Sequence, residues 1–243
     1  MSQLAIEPNR PLTAVPPPSD LPSEDGVPLE SDWHRLEMNL LLELLGLHFQ
    51  GREDYFAGGN MFIYFDAEQF RDRNFRGPDF FFVKHVPLNP PRPYWALWEE
   101  GGKYPNVIIE LTSPSTAADD RGIKKETYEE VFRTPEYFIY DPATRRLQGW
   151  RLNEKLRYRP IFSDERNWLW SEQLELWLGT RIGKFQGKEE TYLRFFDKEG
   201  KMLPSAQERV EAEKNRAETE KARADALEAE LAALRAHQNQ PKA

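Results

Sequence analysis

The spacing of leucines predicts a helix near the start of the folded region. Leucines recur at steps of three and four residues over residues 33–49, and the polar residues Ser31 and Asp32 stand just before them. This spacing is typical of an amphipathic helix, and either polar residue is suited to cap its first turn. We therefore expect a helix with one apolar face turned towards the core of a domain.

Runs of aromatic and β-branched residues between turn signals predict a series of strands. The run at 107–111 is apolar until its single Glu, which is typical of a central strand. A helix from Asp119 or Asp120 to about Arg133 should follow it and lead to a strand at 136–140, so these two strands are expected to be parallel neighbours. The other predicted strands are 61–66, 79–83, 94–99, 147–152, 155–162, 168–170 and 192–197. The pattern predicts an α+β domain with a mixed sheet flanked by helices.

Composition divides the chain of 243 residues into three parts. Residues 1–30 are rich in proline and poor in large apolar side chains, which predicts a flexible or polyproline-like arm whose end could dock on the domain. Residues 31–204 contain every Trp, Phe and Tyr and form the predicted globular domain. Residues 205–243 are dominated by Ala, Glu, Lys and Arg, which predicts a charged helical tail.

The tail carries a weak apolar seam. Its six apolar positions follow a spacing of three and four residues, and Glu213 and Glu220 interrupt it. The six are Val210, Ala217, Ala224, Leu227, Leu231 and Leu234. This pattern favours two structures equally. One is an isolated charged helix, and the other is a coiled coil that joins copies of the chain into a homo-oligomer.

Composition and charge exclude several classes of function. The chain has no cysteine, so it forms no disulfide and performs no thiol catalysis. Its net charge of −8 argues against non-specific coating of nucleic acid, although a local basic groove remains compatible with it. No apolar run approaches the length of a membrane span, and the N-terminus lacks the pattern of a secretory signal, so we expect a soluble cytoplasmic protein.

Two carboxylates at predicted strand ends are candidate metal ligands. Asp79 opens one strand behind a proline, and Glu110 lies near the end of the run at 107–111. A lone acid at a strand end more often bonds to a turn, but two adjacent ones make an oxygen site suited to Mg²⁺ or Mn²⁺. Lys124 or Lys125 on the following helix could then orient a water molecule, or could be a solvated surface charge.

Four motifs occur in order along the chain: Gly77-Pro78-Asp79, residues 107–116, residues 120–124 with Tyr128, and residues 135–142. This arrangement resembles the Uma-two family, within the PD-(D/E)XK restriction-endonuclease-like nucleases. The resemblance covers roughly residues 33–150. It implies a restriction-endonuclease-like core that uses Mg²⁺ and acts on DNA.

The resemblance also implies roles for individual residues. Asp79 and Glu110 match the metal ligands, while Thr112 stands where the superfamily has its lysine. The resemblance implies that this lysine lies on the next helix, where Lys124 matches and Lys125 is the alternative. A glutamate of the first helix can join the metal shell of related nucleases; Glu37 is the best candidate, and Glu43 is not excluded.

The sequence therefore predicts a Mg²⁺-dependent DNA endonuclease with Asp79, Glu110 and Lys124 as its catalytic residues. DNA would have to be held by a local patch such as Arg71, Arg73 and Arg76. The alternative is a nuclease-derived fold without catalysis that serves as a binding or assembly module through its C-terminal helix.

Overall fold

The computed structural model describes residue 21, residues 31–66 and residues 75–238. The helices are α1 (Asp32–His48), α2 (Ala117–Arg121), α3 (Ile123–Glu126) and α4 (Ala206–Gln238), with a π-helical segment at Thr127–Val131. The strands are β1 (Tyr55–Gly58), β2 (Ile63–Tyr64), β3 (Phe80–Lys84), β4 (Trp95–Ala96), β5 (Val107–Leu111), β6 (Glu136–Asp141), β7 (Arg146–Leu152), β8 (Tyr158–Pro160), β9 (Leu169–Ser171), β10 (Leu176–Phe185) and β11 (Lys188–Phe196). The fold is a mixed α+β structure, as the sequence predicts.

A six-stranded mixed sheet is the central layer. Its strand order is β1-β3-β5-β6-β7-β8, and β5 and β6 are its parallel pair. The predicted crossover between these two strands is confirmed. A three-stranded antiparallel sheet of β11, β10 and β9 and a short parallel pair of β2 and β4 complete the strands of the described residues.

The two faces of the central sheet bury different sets of side chains. Ile109 and Leu111 point to the face that packs against α1 and the three-stranded sheet. Ile108 points to the opposite face, where it packs with Tyr128 of the π segment. Because side chains alternate along a strand, Glu110 faces the same side as Ile108. This alternation decides which elements can contact the Glu110 carboxylate.

The helix α1 begins at the cap that the sequence predicts. The Ser31 hydroxyl accepts the backbone N–H of His34 at 3.3 Å, which satisfies one of the free donors of the first turn. The leucines that defined the pattern are buried in the core of the α1 face, among them Leu36, Leu40 and Leu44. The apolar stripe therefore attaches α1 to the central sheet.

The helix expected between β5 and β6 is broken into α2, α3 and the π segment. The break lies at Gly122, whose φ of −108° and ψ of −106° are not helical. A Cβ at this position would lie 3.0 Å from the carbonyl oxygen of Ala118, so a larger residue would strain the turn. The π segment ends before Arg133, which has a φ of 52°.

Two strands were not expected from the sequence. β1 is only four residues long, and β10 contains Gly179 and Gly183, which weaken the sequence signal of a strand. Conversely, the runs at 61–66 and 94–99 contribute only the two-residue strands β2 and β4.

Most of the predicted flexible arm and two arginines of the predicted patch, Arg71 and Arg73, lie outside the described residues. Leu21 is described, and it is buried with Phe62, Tyr64 and Ala96. One point of the proline-rich region therefore packs on the domain.

The chain divides after Leu203 into two compact units. The second unit contains α4, which starts with a capping box: the Ser205 N–H donates to Glu208 Oε2 at 2.7 Å, and the Glu208 N–H donates to Ser205 Oγ at 3.2 Å. Among the described residues, none of the helices combines the length and the hydropathy required to cross a bilayer.

Two glycines provide a test of the packing. A Cβ at Gly149 would lie 2.7 Å from the Phe138 ring, so Gly149→Ala should lower the free energy of unfolding by about 1–3 kcal/mol. Gly46 lies in α1 with no atom within 4 Å of an added Cβ, so Gly46→Ala should raise the free energy of unfolding by about 0.5–1 kcal/mol. Urea denaturation of both variants checks the signs, and destabilisation by Gly46→Ala would contradict the helix packing described here.

Candidate active site

Asp79 and Glu110 lie beside each other on neighbouring strands. Asp79 immediately precedes β3, and Phe80 pairs with Ile109 of β5. Asp79 Oδ2 accepts the backbone N–H of Leu111 at 2.7 Å, which holds this carboxylate against the end of β5. Besides burial, the Asp79 charge is one of the effects that raise the pKa of Glu110.

The Glu110 carboxylate is fully buried, and both of its oxygens accept hydrogen bonds. The Tyr128 hydroxyl donates to Oε1 at 2.8 Å, and the Lys124 ammonium donates to Oε2 at 3.1 Å. Both donors come from the helical region that follows β5, and they are four residues apart. Because side chains alternate along β5, Glu110 faces this helical region and contacts one side of it.

Lys124 faces the carboxylates, and Lys125 does not. The Lys124 ammonium also lies 2.8 Å from Asp120 Oδ1, so it bridges two buried acids. The Lys125 ammonium lies 4.4 Å from the centre of the Trp150 ring, which is a cation–π contact away from Glu110. Thr112, at the position of the superfamily lysine, is buried and places no charge in the site.

Burial sets the protonation of this cluster. It raises the pKa of Glu110 to about 8, against the opposing effect of the Lys124 charge. It raises the pKa of Asp79 to about 6, against the opposing effect of the Leu111 N–H. Burial lowers the pKa of Lys124, but the charges of Glu110 and Asp120 outweigh this effect and hold the pKa above its usual value.

Asp120 is a member of the cluster that the sequence analysis did not assign to the site. It is almost fully buried at the end of α2, across the break at Gly122 from Lys124. Its position four residues before Lys124 is a signal for an ion pair on one helix face. In the sequence, however, this signal is hidden among Asp119, Arg121 and the other charges of the segment.

The structure does not bring Glu37 into the cluster. Glu37 lies on α1, on the opposite face of the central sheet, and its Oε2 accepts the backbone N–H of Leu193 on β11 at 3.1 Å. Burial raises its pKa well above the usual value, against the effects of this N–H and of Arg194. Glu43 is also remote from the end of β5. It lies nine residues, or about 13 Å, further along α1 than His34, the α1 residue that contacts Leu111.

His34 connects α1 to the same strand end. Its Nε2–H donates to the carbonyl oxygen of Leu111 at 2.8 Å, a direction that follows because a carbonyl oxygen can only accept. Its Nδ1 lies 2.8 Å from the Ser31 hydroxyl. Leu111 is therefore held by His34 through its carbonyl and by Asp79 through its N–H.

Arg76, from the predicted DNA patch, donates a hydrogen bond to Thr127 Oγ1 at 3.4 Å, next to Tyr128.

The raised pKa values predict how stability depends on pH. The folded protein keeps protons on Asp79 and Glu110 up to about pH 6 and pH 8, while the unfolded chain loses them near pH 4. The free energy of unfolding should therefore fall as pH rises from about 4 to 8. Urea denaturation at several pH values should show a smaller fall for Glu110→Gln, whereas Glu53→Gln, at an exposed position, should match the wild type. Equal slopes for all three proteins would contradict the burial of an ionisable Glu110.

Known proteins similar to this chain include a protein family and a solved structure. No curated protein matches the chain. A crystal structure described as "a putative nuclease belonging to DUF820 from Anabaena variabilis ATCC 29413" is similar over 60% of this chain and 76% of that one, with 12% sequence identity and a TM-score of 0.45. The profile of the family Uma2, described as "Putative restriction endonuclease", matches residues 26–182. Because this match covers more than half of the sequence, the chain belongs to the Uma2 family.

Proposed function

We propose that this protein is a Mg²⁺-dependent DNA endonuclease, with Asp79 and Glu110 as the cation ligands and Lys124 as the residue that orients the attacking water. The observation that carries the proposal is the convergence of two carboxylates and one ammonium at the end of β5. Membership of a family described as restriction endonucleases supports it. The proposal includes the cytoplasmic location expected from the sequence.

The donor set fits a hard divalent cation. The described residues contain no group of three or more His, Asp or Glu side chains arranged to hold a metal ion. Mg²⁺ does not need such a group, because proteins commonly bind it through one or two carboxylates while waters and substrate phosphates supply the other ligands. Asp79 and Glu110 would provide these two carboxylates, because the charge of a bound cation favours the ionised form of each acid. When bound, Mg²⁺ or Mn²⁺ would polarise the phosphate and acidify a water molecule.

Lys124 supplies positive charge where phosphodiester hydrolysis develops negative charge. Its ammonium lies 3.1 Å from Glu110 Oε2, so it is next to a proposed cation ligand. A fixed cation in a shielded site stabilises such charge far more than one in water. The high pKa of Lys124 keeps it protonated, which favours electrostatic stabilisation and water orientation over proton abstraction.

Tyr128 and Asp120 act as positioning residues in this proposal. The Tyr128 hydroxyl fixes the rotamer of Glu110, and Asp120 fixes the Lys124 ammonium. Neither residue needs to touch DNA. Arg76 lies beside the π segment, so it is the described arginine best placed to contact a phosphate near the site.

The two neighbouring lysines provide a matched test. Lys124→Gln should lower the rate of Mg²⁺-dependent plasmid nicking at least about 100-fold, because it removes the charge beside Glu110. Lys125→Gln changes the same charge one residue away, in contact with Trp150, and should keep nearly the wild-type rate. Asp79→Asn should also abolish nicking, and thermal melting of each variant verifies that it is folded. Equal loss in both lysine variants would show that Lys124 has no special role.

We also propose that α4 joins two copies of the chain, which is the assembly function that the sequence left open. Val210, Leu227 and Leu231 are exposed large apolar residues on this helix. They fall on the seam predicted from the sequence, and Leu234 of that seam has a side chain outside the described residues. A 33-residue helix with an exposed apolar seam gains stability when a second helix covers the seam.

Charge placed on the seam tests this assembly. Leu227→Asp with Leu231→Asp should lower the mass measured by light scattering to that of one chain, because a buried carboxylate opposes helix pairing. Ala222→Asp with Ala229→Asp adds the same charge off the seam and should keep the oligomer. A wild-type mass equal to that of one chain would disprove the proposed assembly, and a loss of nicking by the seam variant would show that the tail is not independent of the active site.

A further inference from the structure

A groove separate from the carboxylate cluster lies where the edge of the central sheet meets the three-stranded sheet. Its volume is about 520 Å³, which is within the usual range of ligand sites. Its lining includes two arginines and three aromatic residues beside Asp164 and smaller or apolar residues, and we call it the arginine–aromatic groove. It is lined by Arg151, Arg159, Phe162, Trp170 and Trp177, among others.

The two arginines of the groove differ in their partners. Arg151 and Arg159 are directly opposite each other on β7 and β8, an arrangement that is unfavourable for like charges. Arg151 is neutralised, because its guanidinium lies 2.8 Å from Glu136 and 2.7 Å from Glu172. Arg159 is exposed, and the described part of the chain offers it no hydrogen-bond or ion-pair partner. Asp164, the acidic residue of the lining, pairs with Arg166, so Arg159 remains the uncompensated charge of the groove.

One aromatic side chain of the groove is unusually accessible. Phe162 is 88% exposed on the loop after β8, which makes it the most exposed of the large hydrophobic residues described. Trp170 and Trp177 pair across β9 and β10, with ring centres 5.2 Å apart, and both remain half-buried. An aromatic ring left in water beside an unpaired arginine is an arrangement that suits a ligand with a flat ring and a negative charge.

We propose that the arginine–aromatic groove binds an unpaired nucleotide of a single-stranded nucleic acid. The base stacks on Phe162, and the adjacent phosphate pairs with Arg159. Stacking on an exposed ring combined with a cationic contact to the backbone is the general way in which proteins hold single strands. An apolar peptide would satisfy the ring but would leave Arg159 without a counterion.

The groove is distinct from the candidate active site. Arg151 of the groove lies on the same side of β7 as Gly149, and Gly149 faces Phe138 in the core of the α1 face. Glu110 points to the opposite face of the sheet. Binding in the groove thus needs neither the carboxylates nor a metal. The proposal goes beyond the hydrolysis proposed above and stands or falls independently of it.

Fluorescence anisotropy of labelled (dT)12 with the full-length protein in EDTA tests the proposal without cleavage. Phe162→Ala should raise Kd at least about fivefold, because it removes a stacking contact. Arg159→Gln should weaken binding and reduce the slope of log K against log salt by about 0.7, the value for one phosphate of a single strand. Arg157→Gln is the matched control, since Arg157 lies two residues away on the chain and pairs with Glu130. It should leave both quantities unchanged.

Three results would overturn the proposal. Phe162→Ala and Arg159→Gln could bind (dT)12 as the wild type does, which would remove the groove from nucleic-acid binding. Mononucleotide dTMP could displace (dT)12 at equal concentration, which would make the groove a site for free nucleotides. A peptide of residues 11–22 could bind in a Phe162-dependent manner while (dT)12 does not, which would make the occupant a proline-rich segment. Both substituted side chains are exposed, so far-UV circular dichroism should show an unchanged fold.

Discussion

The burial of the Glu110 carboxylate is the constraint on which the rest of the site depends. Glu110 is fully enclosed in a strand whose other residues are aliphatic, where an unpartnered carboxylate would cost several kcal/mol. Tyr128 and Lys124 offset this cost by donating to its two oxygens. The remaining cost appears as a raised pKa, because a protonated carboxyl is easier to bury.

This requirement fixes the segment that follows β5. Tyr128 and Lys124 reach Glu110 together only if the residues around them are helical and lie close to the strand. The helical region is interrupted at Gly122, and Asp120 on α2 contacts Lys124 across this interruption. On the other face of the sheet, His34 holds the carbonyl of Leu111, whose N–H in turn binds Asp79. Both faces of the sheet thus contribute to the position of the two carboxylates.

The parts of this arrangement that depend on local spacing could be predicted from the sequence. The leucine spacing predicts α1, and the apolar run before Glu110 predicts a central strand and its parallel neighbour. The resemblance singles out Lys124, and its contact with Glu110 requires only the helix after β5. The position of Glu37 could not be obtained in this way, because it depends on which face of the sheet α1 covers. The interruption of the helix at Gly122 could not be predicted either, because a glycine within a helical pattern is compatible with both a continuous and a broken helix.

Asp79 and Glu110 are proposed to hold one divalent cation together, and direct binding of Mn²⁺ tests this claim without any DNA. Electron paramagnetic resonance of free Mn²⁺ during titration should show one bound ion per chain, with Kd raised at least about tenfold in Asp79→Asn and in Glu110→Gln. Glu37→Gln should bind as the wild type does, because Glu37 contacts β11 on the other face of the sheet. Unchanged binding in Asp79→Asn and Glu110→Gln, or loss of the ion in Glu37→Gln alone, would contradict the claim.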